Sequence, residues 1–423
     1  WFAASSCWSA GCASMPAKDA DARVLTGEDL LARFAALDAF LFEHQALWKP
    51  RPFTYLQLPW ETSYPELALW LRTRSLEEAE NSHNQPCLLD APEPFATLAR
   101  LSLDLSAVGE LPAHALETAG HRLNVDVPGR KWQQIEAFAS RLAFASPPRH
   151  WLDWCAGKGH LGRRLLRPGQ QLTCLEYDPA LIASGQALSQ HHQLHALHVE
   201  QDVLAPGVAA LLNADLTPVA LHACGDLHVR LMQLASTAGC KQMAIAPCCY
   251  NRIGGSQYQP LSVAAQDANL QLSLDDLSLP MSETVTAGAR VRRQRDTSMA
   301  RRLAFDLLQR QLRGIDEYLP TPSLPSAWLD RSFAKYCHHL AALKDLSTIG
   351  QQDWSALEAA GWQRLAEVRN LELLRGLFRR PLELWLNLDR ALFLSEQAYT
   401  VRLGTFCETA LTPRNFLLLA ERQ

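Results

Sequence analysis

His150-Trp-Leu-Asp153-Trp-Cys155-Ala-Gly157-Lys158-Gly159-His160-Leu-Gly162 reads as an apolar strand ending in an aspartate, then a tight glycine turn, then the start of a helix rich in arginine and leucine. Glycines in such a turn let the backbone come within van der Waals distance of a nucleotide-like ligand. A second strand, Leu172-Thr-Cys-Leu175, ends in Glu176, seventeen residues beyond Gly159. A carboxylate at that place can grip the ribose hydroxyls of an adenosine.

Working outward, strand patterns near 149–154, 171–176, 196–200, 219–223 and 242–246 alternate with helical ones. Alternation at this spacing predicts βαβ units, hence an α/β, doubly wound sheet with five parallel strands. Two further strand-like runs, 399–407 and 414–420, flank the turn Leu411-Thr-Pro-Arg and form a closing antiparallel hairpin, seven strands in all. Ahead of the sheet the pattern is helical. Thr26-Gly-Glu-Asp29 is close to a capping box and opens a helix to about Trp48; others fall near 64–80, 92–105, 112–122 and 127–144. Trp48, Trp60 and Trp70 are expected in the core. The predicted organisation is 1–14 non-native or disordered, with Met15 a plausible start, then a helical N-terminal region 15–125. The sheet core 126–255, a helical insert 256–395 and terminal strands 396–423 follow.

The 423 residues are 48% hydrophobic and 20% charged, enough for a full core and unlike a disordered chain. No apolar run approaches the roughly 20 residues of a membrane span. Ser9-Ala-Gly-Cys12 lacks the basic and apolar regions that a signal peptide needs. Eleven scattered cysteines without CxxC spacing suit reduced thiols in a cytoplasmic protein. The net charge of −4 is uneven: residues 1–129 carry 9 Lys+Arg against 17 Asp+Glu, leaving 31 against 27 for the rest. Eight arginines crowd residues 289–313, which suits a polyanionic partner touching the back of the chain.

Gly157-Lys158-Gly159-His160-Leu161-Gly162 matches GxGxxG, the fingerprint of dinucleotide binding. Asp153, four residues before Gly157, argues against a dinucleotide, because a carboxylate under the turn repels pyrophosphate and favours a cationic sulfonium bearing an amino group. Asp202, ending the third strand before Val203, can reach an adenine amino group. Asp153, the glycine turn, Glu176, Asp202 and the late hairpin together resemble a Rossmann-like S-adenosylmethionine methyltransferase. Cys155 departs from the pattern, standing where many such enzymes have a first glycine. More narrowly, the stretch from Asp153 to Gly162, Leu221-His-Ala-Cys224-Gly-Asp226-Leu, Pro247-Cys248-Cys249-Tyr250 and the closing Leu411–Ala420 resemble the methyltransferase-like protein 25 family. A cysteine-rich turn after each of the fourth and fifth strands is also similar to the eukaryotic tRNA acceptor-stem 2′-O-methyltransferases. These likenesses cover about 125–255 and 397–423.

The resemblance implies S-adenosylmethionine held by Asp153, Cys155, Gly157, Lys158, Gly159, Glu176, Asp202, Val203 and Cys224. Catalytic candidates sit beyond the fourth and fifth strands: Asp226, Cys248 and Tyr250. Asp226 suits a general base or substrate anchor, and equally a cap on the following helix. His222 reads as a core histidine, and His228 lies on the helix's first turn. A zinc site from Cys224, Cys248, Cys249 and His228 is set aside, because adjacent cysteines rarely both ligate one ion; no metal is expected. Arg290, Arg292, Arg293, Arg295, Arg301 and Arg302, with Arg379 and Arg380, suit phosphate contact with RNA, tRNA or rRNA, or else a solvated helix face. The competing expectations are a protein or small-molecule methyltransferase and a non-catalytic cofactor-binding module.

Overall fold

The computed structural model describes residues 22–117, 123–125, 127–282, 289–346 and 349–422. The expectations for residues 1–14 and Met15 lie outside them.

The protein is α/β. Its described strands are β1 (Leu25–Thr26), β2 (His150–Trp154), β3 (Gln171–Glu176), β4 (Ala196–Glu200), β5 (Leu216–Cys224), β6 (Gln242–Cys248), β7 (Thr400–Thr405) and β8 (Phe416–Glu421). They form one sheet in the order β1-β7-β8-β6-β5-β2-β3-β4. β6, β5, β2, β3 and β4 are mutually parallel, while β8, β7 and β1 run antiparallel to their neighbours. Both faces are covered, so the central strands read as near-continuous apolar runs. Leu152, Trp154, Leu175, Ala220, Ile245 and Leu418 face one core cluster. Trp151, Leu172, Val219, Ala244, Leu417 and Leu419 face another, with Ile135 and Phe138 of the helix Gly129–Ala139.

The sheet has one strand more than the seven expected. Leu25 and Thr26 pair with Leu403 and Arg402 at the β7 edge, and two residues are too short to show period-two alternation. The helix Glu28–Glu43 therefore begins one residue later than the capping-box reading, with Gly27 as its cap. The helix expected over 112–122 is absent from 111–117. The segment starts beside β7, where the Leu111 amide donates to Thr405 O at 3.0 Å, and has left it by His114, whose amide donates to Ser140 O at 2.8 Å. Residues 118–122 lie outside the described ones.

Trp48 and Trp60 are buried and Trp70 is partly buried, packed against the first cluster. The same cluster joins Glu28–Glu43, the sheet and the helix Arg379–Glu396, with Phe34 and Trp385 centroids 5.1 Å apart. Within the helix Arg379–Glu396, buried charges are paired rather than excluded. The Arg390 Nε donates to His228 Nε2 at 2.6 Å, and its Nη1 donates to Tyr258 Oη at 3.0 Å. Tyr258 donates to Asp389 at 2.6 Å, and Asp389 also accepts from the Leu261 and Ser262 amides. This network ties the segment after β6 to the sheet. No described helix is long and apolar enough to cross a membrane.

Candidate functional site

In the parallel part of the sheet, the chain goes from β2 outward through β3 to β4, then returns to β5 on the other side of β2. Such a reversal splays the loops at the carboxyl ends of β2 and β5 and opens a crevice there. A cavity of about 380 Å³ occupies this place, lined by Cys155, Glu176, Tyr177, Gln201, Asp202, Val203 and Leu227.

The turn after β2 is held from beneath and from the side. Asp153 is 2% exposed, and its Oδ2 accepts from the Gly162 amide at 2.9 Å. Burial raises its carboxyl to about 6, against the opposing pull of that amide. Asp153 thus braces the turn from below and does not line the cavity. Gly159 adopts φ 71°, and a Cβ there would lie 3.0 Å from both Cys174 Sγ and His198 Cε1, so the turn closes tightly on the next strands. Buried Arg163 donates to Lys158 O at 2.6 Å and pins the loop, while the Lys158 side chain is half-buried. Cys155 adopts φ 55°, the left-handed conformation that explains why glycine suits this position. Its thiol faces the cavity and is pushed up to about 12, first by burial and then by Glu176.

Glu176 is fixed in advance. Its Oε2 accepts from the Gly157 amide at 2.7 Å, and its Oε1 accepts from the Tyr177 and Asp178 amides at 2.9 and 3.1 Å. A carboxylate has about four lone-pair sites, so about one remains, on Oε2. That leaves acceptor capacity for one ribose hydroxyl rather than the pair expected. Asp202 accepts from the Leu204 amide at 2.9 Å through Oδ1, leaving Oδ2 open, while Val203 supplies a buried apolar wall. Three lining residues escaped the sequence reading: Tyr177, Gln201 and Leu227. Tyr177 is 72% exposed directly after the strand-ending glutamate, a place where its ring offers a stacking face. Its position one residue past Glu176 was the available signal.

A small acceptor cradle, an apolar wall and an exposed aromatic ring fit an adenosine group. The residues present therefore suit S-adenosylmethionine.

The second cluster lies beside this cleft, at the ends of β5 and β6. Gly225 adopts φ 50°, and a Cβ on it would lie 1.9 Å from Arg252 O, so the segment after β6 folds directly over the β5 turn. Asp226 is the first residue of the helix Asp226–Thr237. It does not cap that helix; its Oδ2 accepts from the Gly254 amide at 2.7 Å and holds the covering segment. It is half-buried and precedes Leu227, and it is not itself among the residues that line the cavity. Cys224 and Cys248 are register partners with Sγ atoms 3.7 Å apart, and Cys248 also approaches Ala223 O at 3.6 Å. The hydrogen bond from Cys248 pulls the Cys249 thiol down to about 6, while the contact with Cys224 pushes Cys248 up.

Tyr250 corrects the sequence expectation of a catalytic role. It is wholly buried, its hydroxyl lies 3.3 Å from Glu383 Oε1 and accepts from Asn387 at 2.8 Å, and its ring sits under Arg390. Following a strand, its aromatic side chain found the interior behind the sheet. His228 is equally occupied: it is fully buried, with Nδ1 donating to Ala223 O at 2.9 Å and Nε2 accepting from Arg390. Burial holds it well below its ordinary range, so it stays neutral. His222 lies 3.2 Å from Gln134 Oε1, and burial lowers it to about 4.

The arginine run divides. Arg290, Arg292 and Arg293 are exposed on the helix Ala289–Arg313. Arg295 pairs with Glu80 and Asp296, and Arg302 lies over the Phe53 ring. Arg301 turns inward, 8% exposed, bound to Glu358 and to the carbonyls of Trp328, Leu329 and Arg331. Arg379 is buried and bound to His83 O, while Arg380 stacks 3.4 Å over Phe416 and pairs with Glu383. Arg301, Arg379 and Arg380 therefore serve packing rather than phosphate contact, because their side chains turn toward other elements instead of solvent.

Residues 130–256 match a family described as "Methyltransferase domain", a span of under a third of the chain. No curated protein matches the sequence significantly. Among solved structures, the chain is similar to WbdD at 15% identity, covering 32% of this chain and 30% of that one, with a TM-score of 0.22. The 16S rRNA methylase RmtB gives 17% identity, 50% and 83% coverage and a TM-score of 0.19. Coclaurine N-methyltransferase bound to N-methylheliamine and SAH gives 12% identity, 82% and 90% coverage and a TM-score of 0.24.

Proposed function

We propose that this protein is an S-adenosylmethionine-dependent methyltransferase acting on RNA, in keeping with its resemblance to the methyltransferase-like protein 25 family and to the tRNA acceptor-stem enzymes. One observation carries the cofactor reading. Glu176 is preset by three backbone amides at the end of β3, beside a glycine turn and a cavity with adenosine-like chemistry. The methyltransferase-domain match over 130–256 supports it, since those residues include the glycine turn, Glu176 and Asp202.

The bound cofactor supplies a methyl group activated by its sulfonium. Glu176 orients the ribose, Val203 and Tyr177 enclose the base, and Asp202 offers an acceptor to the adenine amino group. In this reading Asp226 accepts a proton from the substrate or holds its amine through Oδ1, since Oδ2 accepts from the Gly254 amide. Such positioning contributes on the order of 7–11 kcal/mol to a two-reactant step. The exposed Arg290, Arg292 and Arg293 support a polyanionic substrate.

Labelled methyl transfer from S-adenosylmethionine into total cell extract, followed by RNase or protease, tests the substrate. Loss of label with RNase alone is expected. Loss with protease alone contradicts the RNA reading and points to a protein acceptor; survival of label through both points to a small molecule.

A further inference from the structure

The ends of β5 and β6 bring together three thiols. The Sγ atoms of Cys224, Cys248 and Cys249 all lie within 4.8 Å of one another. The Cys224–Cys248 separation of 3.7 Å is close to the roughly 3.8 Å edge of a tetrahedron with zinc–sulfur bonds of about 2.3 Å. Two local features produce the cluster. Parallel register sets Cys224 opposite Cys248. Successive side chains on a strand point to opposite faces, which is why adjacent cysteines rarely share an ion. Cys249, however, adopts φ 47°, and this left-handed turn swings its thiol back to the side of Cys248.

We propose that Cys224, Cys248 and Cys249 form a three-thiolate site for zinc beside the cofactor cleft, with the fourth coordination position open. Thiolates select soft or borderline cations over magnesium or calcium. Neither nearby histidine completes the set, since both nitrogens of His228 are taken and His222 is turned to Gln134. Cys224 and Cys249 are partly exposed, so the open position faces solvent, as in zinc sites that receive water or a substrate atom. Three thiolates outweigh the dication by one negative charge, and Arg252 and Arg414 place positive charge near Cys249.

Elemental analysis of the full chain, expressed with zinc and purified without chelator, reads the site independently of cofactor binding. The expected result is about one zinc per chain, lost in Cys248→Ser and in Cys249→Ser but kept in Cys337→Ser, whose thiol lies in a separate cluster. Cobalt(II) titration of the metal-depleted wild type is a second reading that needs no variant to fold. It is expected to give the intense thiolate-to-cobalt absorption of a tetrahedral site. Metal-free protein that takes up neither ion overturns the proposal, as does a Cys224–Cys248 disulfide found by mass spectrometry of protein purified under reducing conditions. Zinc retained by both serine variants also overturns it.

Discussion

Asp153 illustrates how a single side chain can be read correctly for position and incorrectly for contact. Its place before the glycine turn was visible in sequence, but its burial under that turn was not, because burial depends on Arg163 and on the strands packed around it. With the folded carboxyl raised to about 6, the fold prefers its protonated form. This contribution to stability is fully present below the unfolded pKa of about 3.9, falls as pH rises through 6, and becomes a cost of up to about 3 kcal/mol at pH 8. Asp153→Asn is therefore expected to stabilise the ligand-free protein at pH 8 by an amount up to that size, and to change little at pH 4. Urea denaturation at the two pH values checks this; equal effects at both would contradict the assignment. The left-handed φ of Cys155 accounts for the glycine of the resembled pattern, and a cysteine there bears more strain than glycine would.

The parallel strands were legible as elements because each is an apolar run ending in turn residues, and β3 and β4 match the expected spans at both ends. β5 begins earlier than expected because Thr217 and Pro218 interrupt the apolar pattern without interrupting the ladder, and β6 runs on because Pro247 and Cys248 still pair with Ala223 and Cys224. The two-residue β1 and the segment 111–117 carry no period to read; β7 holds β1, and Thr405 and Ser140 hold the segment at Leu111 and His114. The helix Arg379–Glu396 falls in the helical insert expected over 256–395 but was not legible as a core element, since Arg390, Asp389 and Glu383 suggest a solvated face until their partners are known. Arg390→Met tests that burial: it leaves His228 and Tyr258 without their shared donor. The expected cost is roughly 3–5 kcal/mol, measured by chemical denaturation. A cost below about 1 kcal/mol would place Arg390 outside the interior network.

Across the whole molecule, the sheet places two chemistries side by side, an adenosine-shaped cleft at β2–β4 and a thiol cluster at β5–β6, while the exposed arginines sit on a separate helix. Glu176, Asp202 and Val203, expected from the sequence, line the cleft, whereas the thiol cluster was named and set aside, because the left-handed turn that brings Cys249 beside Cys248 leaves no pattern in sequence. Replacing Arg290, Arg292 and Arg293 together with glutamate is expected to weaken RNA binding and flatten its salt dependence by up to about three counterions, with cofactor affinity unchanged. Unchanged RNA affinity across a salt series would remove that helix from the substrate surface. Isothermal titration of the full chain with S-adenosylmethionine tests the cofactor assignment most directly. Saturable binding is expected in the wild type, weakened by roughly 10- to 100-fold in Glu176→Ala. No binding to the wild type, or equal binding to the variant, would contradict it.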